Sequence, residues 1–142
     1  STNLIKAVAE LAAGTRAEVL VHGTDYPTPD GTCIRDYVHV SDVAEAHVAA
    51  LDYLMAGGAS ETLNCGYGRG FSVLEVLAAA ERAEGRRLPY RAGPRRAGDP
   101  PALVAEIGRI RSVLAWRPRR DDLDLMVRSA IAWERRLAAT LP

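Results

Sequence analysis

Within residues 25–31, DYPTPDG, stand two prolines, two aspartates and a glycine. Proline fixes φ and cannot donate to a strand ladder, while Asp and Gly favour turns, so this run cannot lie inside a sheet. It separates two segments of strand character, residues 18–22 (EVLVH) and 34–40 (IRDYVHV), and any fold must seat them on either side of a loop.

Helical signals flank these strands. Leu4, Val8, Leu11 and Ala12 recur at helical spacing and Gly14 supplies a left-handed stop, which predicts a helix over roughly the first thirteen residues. Asp42 with Glu45 three residues on has the pattern of a capping box, for a helix with Val43, His47, Ala50, Leu51 and Leu54 on its apolar face and an end near Gly57 and Gly58. Ser72 and Glu75 repeat the device for a helix to about Glu84, stopped by Gly85. Short strands are expected at residues 62–65, 88–91 and 103–107, a short helix up to Trp116, and a C-terminal helix from Asp121. Such alternation, without internal repeats, predicts an α/β fold, and 142 residues make one domain, residues 1–142, the default. Trp116 and Trp133, with Leu114, Leu123 and Ile131, read as core.

Composition narrows the function. Formal net charge is zero, so no overall field draws the chain to nucleic acid or an anionic membrane, and any anion must be held locally. Lys6 is the sole lysine among 18 basic residues, an arginine bias read as genome composition. The apolar stretches are only a handful of residues long, which excludes a signal-peptide core or membrane span and leads to a cytoplasmic expectation. Cys33 and Cys65 lack metal-ligand spacing and read as free thiols. Opening at Ser1 without Met fits initiator removal or a cut from something longer.

Three groups could carry chemistry. Gly66-Tyr67-Gly68-Arg69-Gly70 has the spacing of a dinucleotide fingerprint, but Phe71 stands where the last glycine belongs, leaving a tight turn with or without a ligand beside it. Arg35 lies among Ile34, Tyr37 and Val38, so its guanidinium must reach an anion, an acid or solvent, and Asp36 faces the opposite way. Arg95, Arg96 and Asp99 sit in a loop stiffened by Pro94, Pro100 and Pro101, a plausible clamp for a diphosphate and a ribose. The alternative is a solvated charge cluster, the reading preferred for Arg95. Ser41 and Ser72 lie at helix starts and read as caps, and His47 as a core or boundary residue.

The run GTDYPTPDGTCIRDYVHVSDVAEAH at residues 23–47, Asn3-Leu4, the glycine turn and PRRAGD at residues 94–99 together resemble the UDP-glucose 4-epimerases, over the whole chain but only over that family's C-terminal, substrate-holding portion. The resemblance implies the C-terminal part of an NAD-dependent epimerase/dehydratase lacking most of the Rossmann half. It puts Arg35 and Arg96 on the diphosphate, Asp99 on the ribose, and Asn3, Leu4, Leu20, His22 and Val73 around the nucleotide. Tyr37 is a further candidate, and Leu103 one lining the sugar pocket, its bulk favouring a plain hexose over an N-acetylated one.

Such enzymes interconvert UDP-glucose and UDP-galactose through a 4-keto sugar, with bound NAD taking the hydride and a Tyr-x-x-x-Lys pair the proton. Here Thr2 stands where that tyrosine would precede Lys6, and no dinucleotide loop exists, so the chain is expected neither to hold NAD alone nor to turn over alone. The helix after Ser41 and the strand near Asn64 would then lack their packing partner, which predicts self-association or a missing NAD-binding half. A stand-alone, non-catalytic nucleotide-sugar-binding or interaction module is the alternative. A dehydratase or decarboxylase of the same superfamily is disfavoured by the insertion at residues 25–32. Lys6, where relatives often have Pro, and Glu106-Ile107-Gly108 depart from the usual pattern.

Overall fold

The computed structural model describes residues 3–140, so Thr2 lies outside the described residues. Helix α1 (Leu4–Ala12) starts where the Asn3 side chain accepts the Lys6 amide at 3.0 Å, and the chain turns away at Gly14, φ +82°. Strand β1 (Val19–His22) follows, then the turn cluster, β2 (Ile34–Arg35) and helix α2 (Val40–Met55). Strand β3 (Phe71–Ser72) runs directly into α3 (Val73–Glu84), followed by β4 (Tyr90–Gly93), β5 (Ala102–Leu103), α4 (Gly108–Val113) and α5 (Leu123–Thr140).

The strands form two small sheets. β1 pairs in parallel with β4, Leu20 opposite Arg91. β2 lies between β3, antiparallel, and β5, parallel, with Arg35 opposite Phe71 on one side and Leu103 on the other. Helices α1, α3 and α5 close over a core in which Val8, Val76 and Val127 are essentially inaccessible. Each such aliphatic contributes about 1.5–3 kcal/mol by leaving water.

Helix α3 is set by its ends. Ser72 accepts the Glu75 amide and Glu75 accepts the Ser72 amide, a complete capping box, and Gly85 closes the helix in the left-handed conformation. The turn cluster reinforces that start. The buried Thr32 hydroxyl accepts the amides of Val73 and Leu74 at 3.1 and 3.4 Å, and Ser72 donates to Asp30.

Several sequence expectations are corrected. β2 ends at Arg35 rather than continuing to residue 40, because the Asp36 carboxylate captures the amides of Tyr67, Gly68 and Ala105 and the His39 amide goes to the Tyr67 hydroxyl, pulling the chain out of the sheet. Residues 62–65 form no ladder, β4 begins at Tyr90, and β5 stops at Leu103.

Asp42 and Glu45 form no capping box. α2 opens at Val40 behind His39, whose Nδ1 accepts the Ser41 amide, so Ser41 is not a cap either. Asp42 is instead fully buried, accepting the Tyr67 hydroxyl at 2.6 Å, the amides of Arg119 and Arg120, and the Arg120 guanidinium at 2.9 Å.

This capture rotates α2 so that Asp42 and Ala46, with Ala49 and Tyr53, face a second cluster around Ile110, Leu114 and Trp116. Of the expected apolar face, Val43 and Ala50 are only partly covered while His47, Leu51 and Leu54 are exposed, as are Val40, Val48 and Met55. His47 therefore belongs to the surface, its ring within 2.8 Å of the Val43 carbonyl. Trp133 is exposed too, whereas Trp116, Leu114, Leu123 and Ile131 are core as expected.

Candidate functional site

A cavity of about 450 Å³ opens between the start of α1, the strands β1 and β2, the start of α3 and the loop from β4 to β5. Asn3, Leu4, Leu20, His22, Arg35, Tyr37, Val73, Arg96 and Asp99 all line it.

Local periodicity explains how separate elements converge. On α1, Asn3, Leu4 and Ala7 share one face at helical spacing. Cys33, Arg35 and Tyr37 reach the cavity with the two-residue alternation of an extended chain, while Asp36 points away as expected. Arg96 and Asp99 come from one tight turn, in which the Asp99 amide donates to the Arg96 carbonyl at 3.3 Å and Gly98 takes φ +80°.

Leu103 is the exception. It stands beside Arg35 in the sheet, but β5 is the edge strand, the cavity wall stops one strand short of it, and its side chain is 61% exposed. Conversely Ala7, Arg16, Val19 and Cys33 line the cavity and were not singled out from sequence. Helical and strand spacing could have found Ala7 and Cys33. Arg16 carries no such signal; it sits beyond Gly14, where Glu10 receives its Nε and Nη2 at 2.9 and 2.7 Å.

The electrostatics favour a local anion. Arg35 donates from Nη2 to Asp99 Oδ1 at 2.7 Å and from Nη1 to the Ile34 carbonyl at 2.6 Å. Arg16 is neutralised by Glu10. Among the described residues the Arg96 guanidinium has no hydrogen-bond or ion-pair partner, and it is the cation left over. Burial, then the neighbouring Cys33, pushes the Tyr37 hydroxyl up in pKa, so at neutral pH it is an uncharged group. Arg95 lies outside the lining, bound to Asp25 at 2.7 Å with its guanidinium 4.4 Å over the Tyr26 ring, a surface cluster that ties the turn cluster to the residue 94–99 loop.

The glycine turn proves to enclose a carboxylate. Asp36 takes the amides of Tyr67 and Gly68 at 3.0 Å each, and a Cβ added at Gly66 would lie 2.5 Å from Ala105 Cβ and 2.6 Å from Asp36 Oδ2. Amides already committed to an acid offer nothing to a phosphate, so the turn does not fit a dinucleotide diphosphate. Among the described residues no group of His, Cys, Asp and Glu is arranged to hold a metal, both cysteines are free, and no helix is long and apolar enough to cross a membrane.

The NAD dependent epimerase/dehydratase family matches residues 1–66. Over 137 residues the chain is 54% identical to a UDP-glucose 4-epimerase of Azospirillum brasilense, covering 96% of this chain and 39% of that one. A Lacticaseibacillus casei UDP-glucose 4-epimerase is 47% identical over 132 residues, covering 93% and 40%. The UDP-glucose-4-epimerase of Stenotrophomonas maltophila, solved with NAD and formylated UDP-arabinopyranose, superposes with a TM-score of 0.93 at 45% identity, over 99% of this chain and 42% of that one. The Bifidobacterium longum enzyme, in complex with NAD+ and UDP, gives 0.88 at 40%, over 99% and 42%. The chain thus spans about two fifths of the length of these relatives.

Proposed function

We propose that this chain, which is similar to the NAD dependent epimerase/dehydratase family over residues 1–66 and to UDP-glucose 4-epimerases over most of its length, is the C-terminal portion of such an enzyme, holding the UDP moiety of UDP-glucose and UDP-galactose. The observation carrying this reading is the convergence of Asn3, Leu4, Leu20, His22, Arg35, Tyr37, Val73, Arg96 and Asp99 on one cavity.

In this reading Arg96, the unneutralised cation, meets the diphosphate with Arg35, and Asp99 accepts the two ribose hydroxyls. The aliphatic walls given by Leu4, Leu20 and Val73 cover the uracil with His22 and Asn3 at their rim. Inversion at C4 of a 4-keto sugar requires the hexose to present its other face to the hydride donor, so only the nucleotide end can stay gripped. Binding energy from that non-reacting end is what keeps the sugar in place while it turns.

NAD supplies the hydride chemistry in the enzymes of this family, and no residue described here fits its diphosphate loop, so this chain is assigned binding and no redox step. The exposed apolar face of α2 then serves as a contact for an NAD-binding partner portion or, in its absence, a second copy. A cytoplasmic setting follows from the same reading.

Calorimetric titration of the 142-residue chain with UDP-glucose is the test. Micromolar-to-millimolar binding that Arg96→Ala weakens supports it, and a folded chain that releases no heat with UDP-glucose or UDP overturns it.

A further inference from the structure

We propose that the Arg35–Asp99 ion pair is a specificity device: the free cavity keeps its phosphate-binding arginine occupied by the carboxylate meant for a ribose, so that only a ligand bringing both an anion and a vicinal diol compensates both partners. This rests on the assignment of Arg35 and Asp99 given above.

The geometry behind it is specific. Arg35 is on β2 and Asp99 sits 64 residues later at the end of the Arg96–Asp99 turn, yet their side chains meet at 2.7 Å, both lining the cavity and both only partly exposed, at 21% and 30%. The fork of Arg35 is engaged at both tips, since Nη1 is held by the Ile34 carbonyl at 2.6 Å. Its strand position fixes the backbone, so a phosphate seated bidentately on the Nη1/Nη2 edge of the guanidinium competes with Asp99 for Nη2.

A free diphosphate would take Arg35 and leave Asp99, a carboxylate beside a new anion, with only water for a donor. Like charges that close, in a partly desolvated site, weaken binding. A nucleoside diphosphate fills the gap, because the 2′ and 3′ hydroxyls supply two donors to the carboxylate as the guanidinium departs. The cavity thereby discriminates against inorganic diphosphate, and against anions lacking a diol, without any added steric barrier. Arg96, unpaired among the described residues, offers the first point of attachment and leaves the exchange to follow.

The test is a double-mutant cycle on the full 142-residue chain, with inorganic diphosphate and UDP titrated separately into the unsubstituted chain, Asp99→Asn, Arg35→Gln and the double variant. Asp99→Asn is isosteric and Arg35→Gln shortens the side chain while removing its charge, and thermal melts of each variant establish that it is folded. Asp99→Asn should tighten inorganic diphosphate about 3- to 10-fold, and that gain should vanish in the Arg35→Gln background, because it arises from the freed guanidinium.

The preference for UDP over diphosphate should shrink about 10-fold or more in Asp99→Asn. A gain that persists undiminished without Arg35 reflects only the removal of a negative charge and overturns the exchange, as does Asp99→Asn weakening both ligands alike. Absence of UDP binding alongside the Arg35-dependent gain for diphosphate shows that the carboxylate masks the arginine but overturns both the selection for a diol and the nucleotide-sugar reading. Failure of the unsubstituted chain to bind either ligand overturns both.

Discussion

The Tyr67 hydroxyl donates to the Asp42 carboxylate at 2.6 Å, joining the glycine turn to the first turn of α2 where the carboxylate has no access to solvent. The same oxygens receive the amides of Arg119 and Arg120, and the Trp116 ring nitrogen donates to the Asp42 carbonyl at 3.0 Å. Three segments distant in sequence, the start of α2, the glycine turn and residues 116–120, therefore meet at one buried acid. Tyr67→Phe should destabilise the fold by about 1–3 kcal/mol, the cost of leaving a buried oxygen short of a donor, measured by urea unfolding; a loss below about 0.5 kcal/mol would show that the other donors suffice.

Acid should loosen the same region. Burial alone would raise Asp42, but the Tyr67 hydroxyl, the Arg120 and Arg119 amides and the Arg120 guanidinium hold it below the usual 3.8, and Asp30 is likewise held low by Ser72 and Thr32 against its own burial. A carboxyl depressed in the folded state contributes stability that is present above its unfolded pKa and is lost as pH falls through the folded one. Melting temperature should accordingly hold from pH 6 to about 4.5 and fall below about pH 4. Asp30→Asn should melt lower at pH 6 and show a shallower acid slope, and parallel slopes would assign the acid sensitivity elsewhere.

Ser72→Ala removes the cap of α3 and the donor to Asp30 together. A loss of about 1–2 kcal/mol is expected from the cap, and Ser72→Thr should recover most of it. Equal losses in the two variants would point to packing rather than the hydroxyl.

Arg96→Ala should weaken UDP-glucose about 10- to 100-fold in calorimetry, while Arg95→Ala, whose guanidinium is spent on Asp25, should change affinity less than about 3-fold. Equal effects would mean that the loop acts through its overall charge.

The bare face of α2 gives a prediction about association. Size-exclusion chromatography should show dilution-dependent self-association that Leu51→Glu with Met55→Glu abolishes, since both side chains are more than half exposed. A dilution-insensitive monomer would remove the need for a partner on this face.

What the sequence revealed depended on whether a signal was local. The capping box at Ser72 and Glu75 and the stop at Gly85 are written within a few residues, and both were legible. Asp42 and Glu45 carry the same pattern, but donors from Tyr67 and from residues 119–120 draw Asp42 inward, a pull invisible in the sequence around α2. Strand 34–40 failed for the same reason: Asp36 outbids the ladder with amides from residues 67, 68 and 105. Of the cavity residues, Asn3, Leu4, Leu20, His22 and Val73 were named as ligand contacts only through the resemblance, whereas Arg35, Arg96 and Asp99 stood out by their own chemistry. Arg16 was missed because its position depends on Glu10, and Leu103, named from the resemblance, stands beside Arg35 in the sheet but outside the cavity lining.

Thr32 gives the residue 25–32 insertion a role as a rivet. By accepting the amides of Val73 and Leu74, it closes the start of a helix 41 residues away, and Val73 is itself a wall of the cavity. The insertion is thus a spacer of set length: shortening it by even one residue would withdraw the rivet and let the mouth of the cavity slacken, so tolerance to insertions and deletions should be low here, unlike in most surface loops.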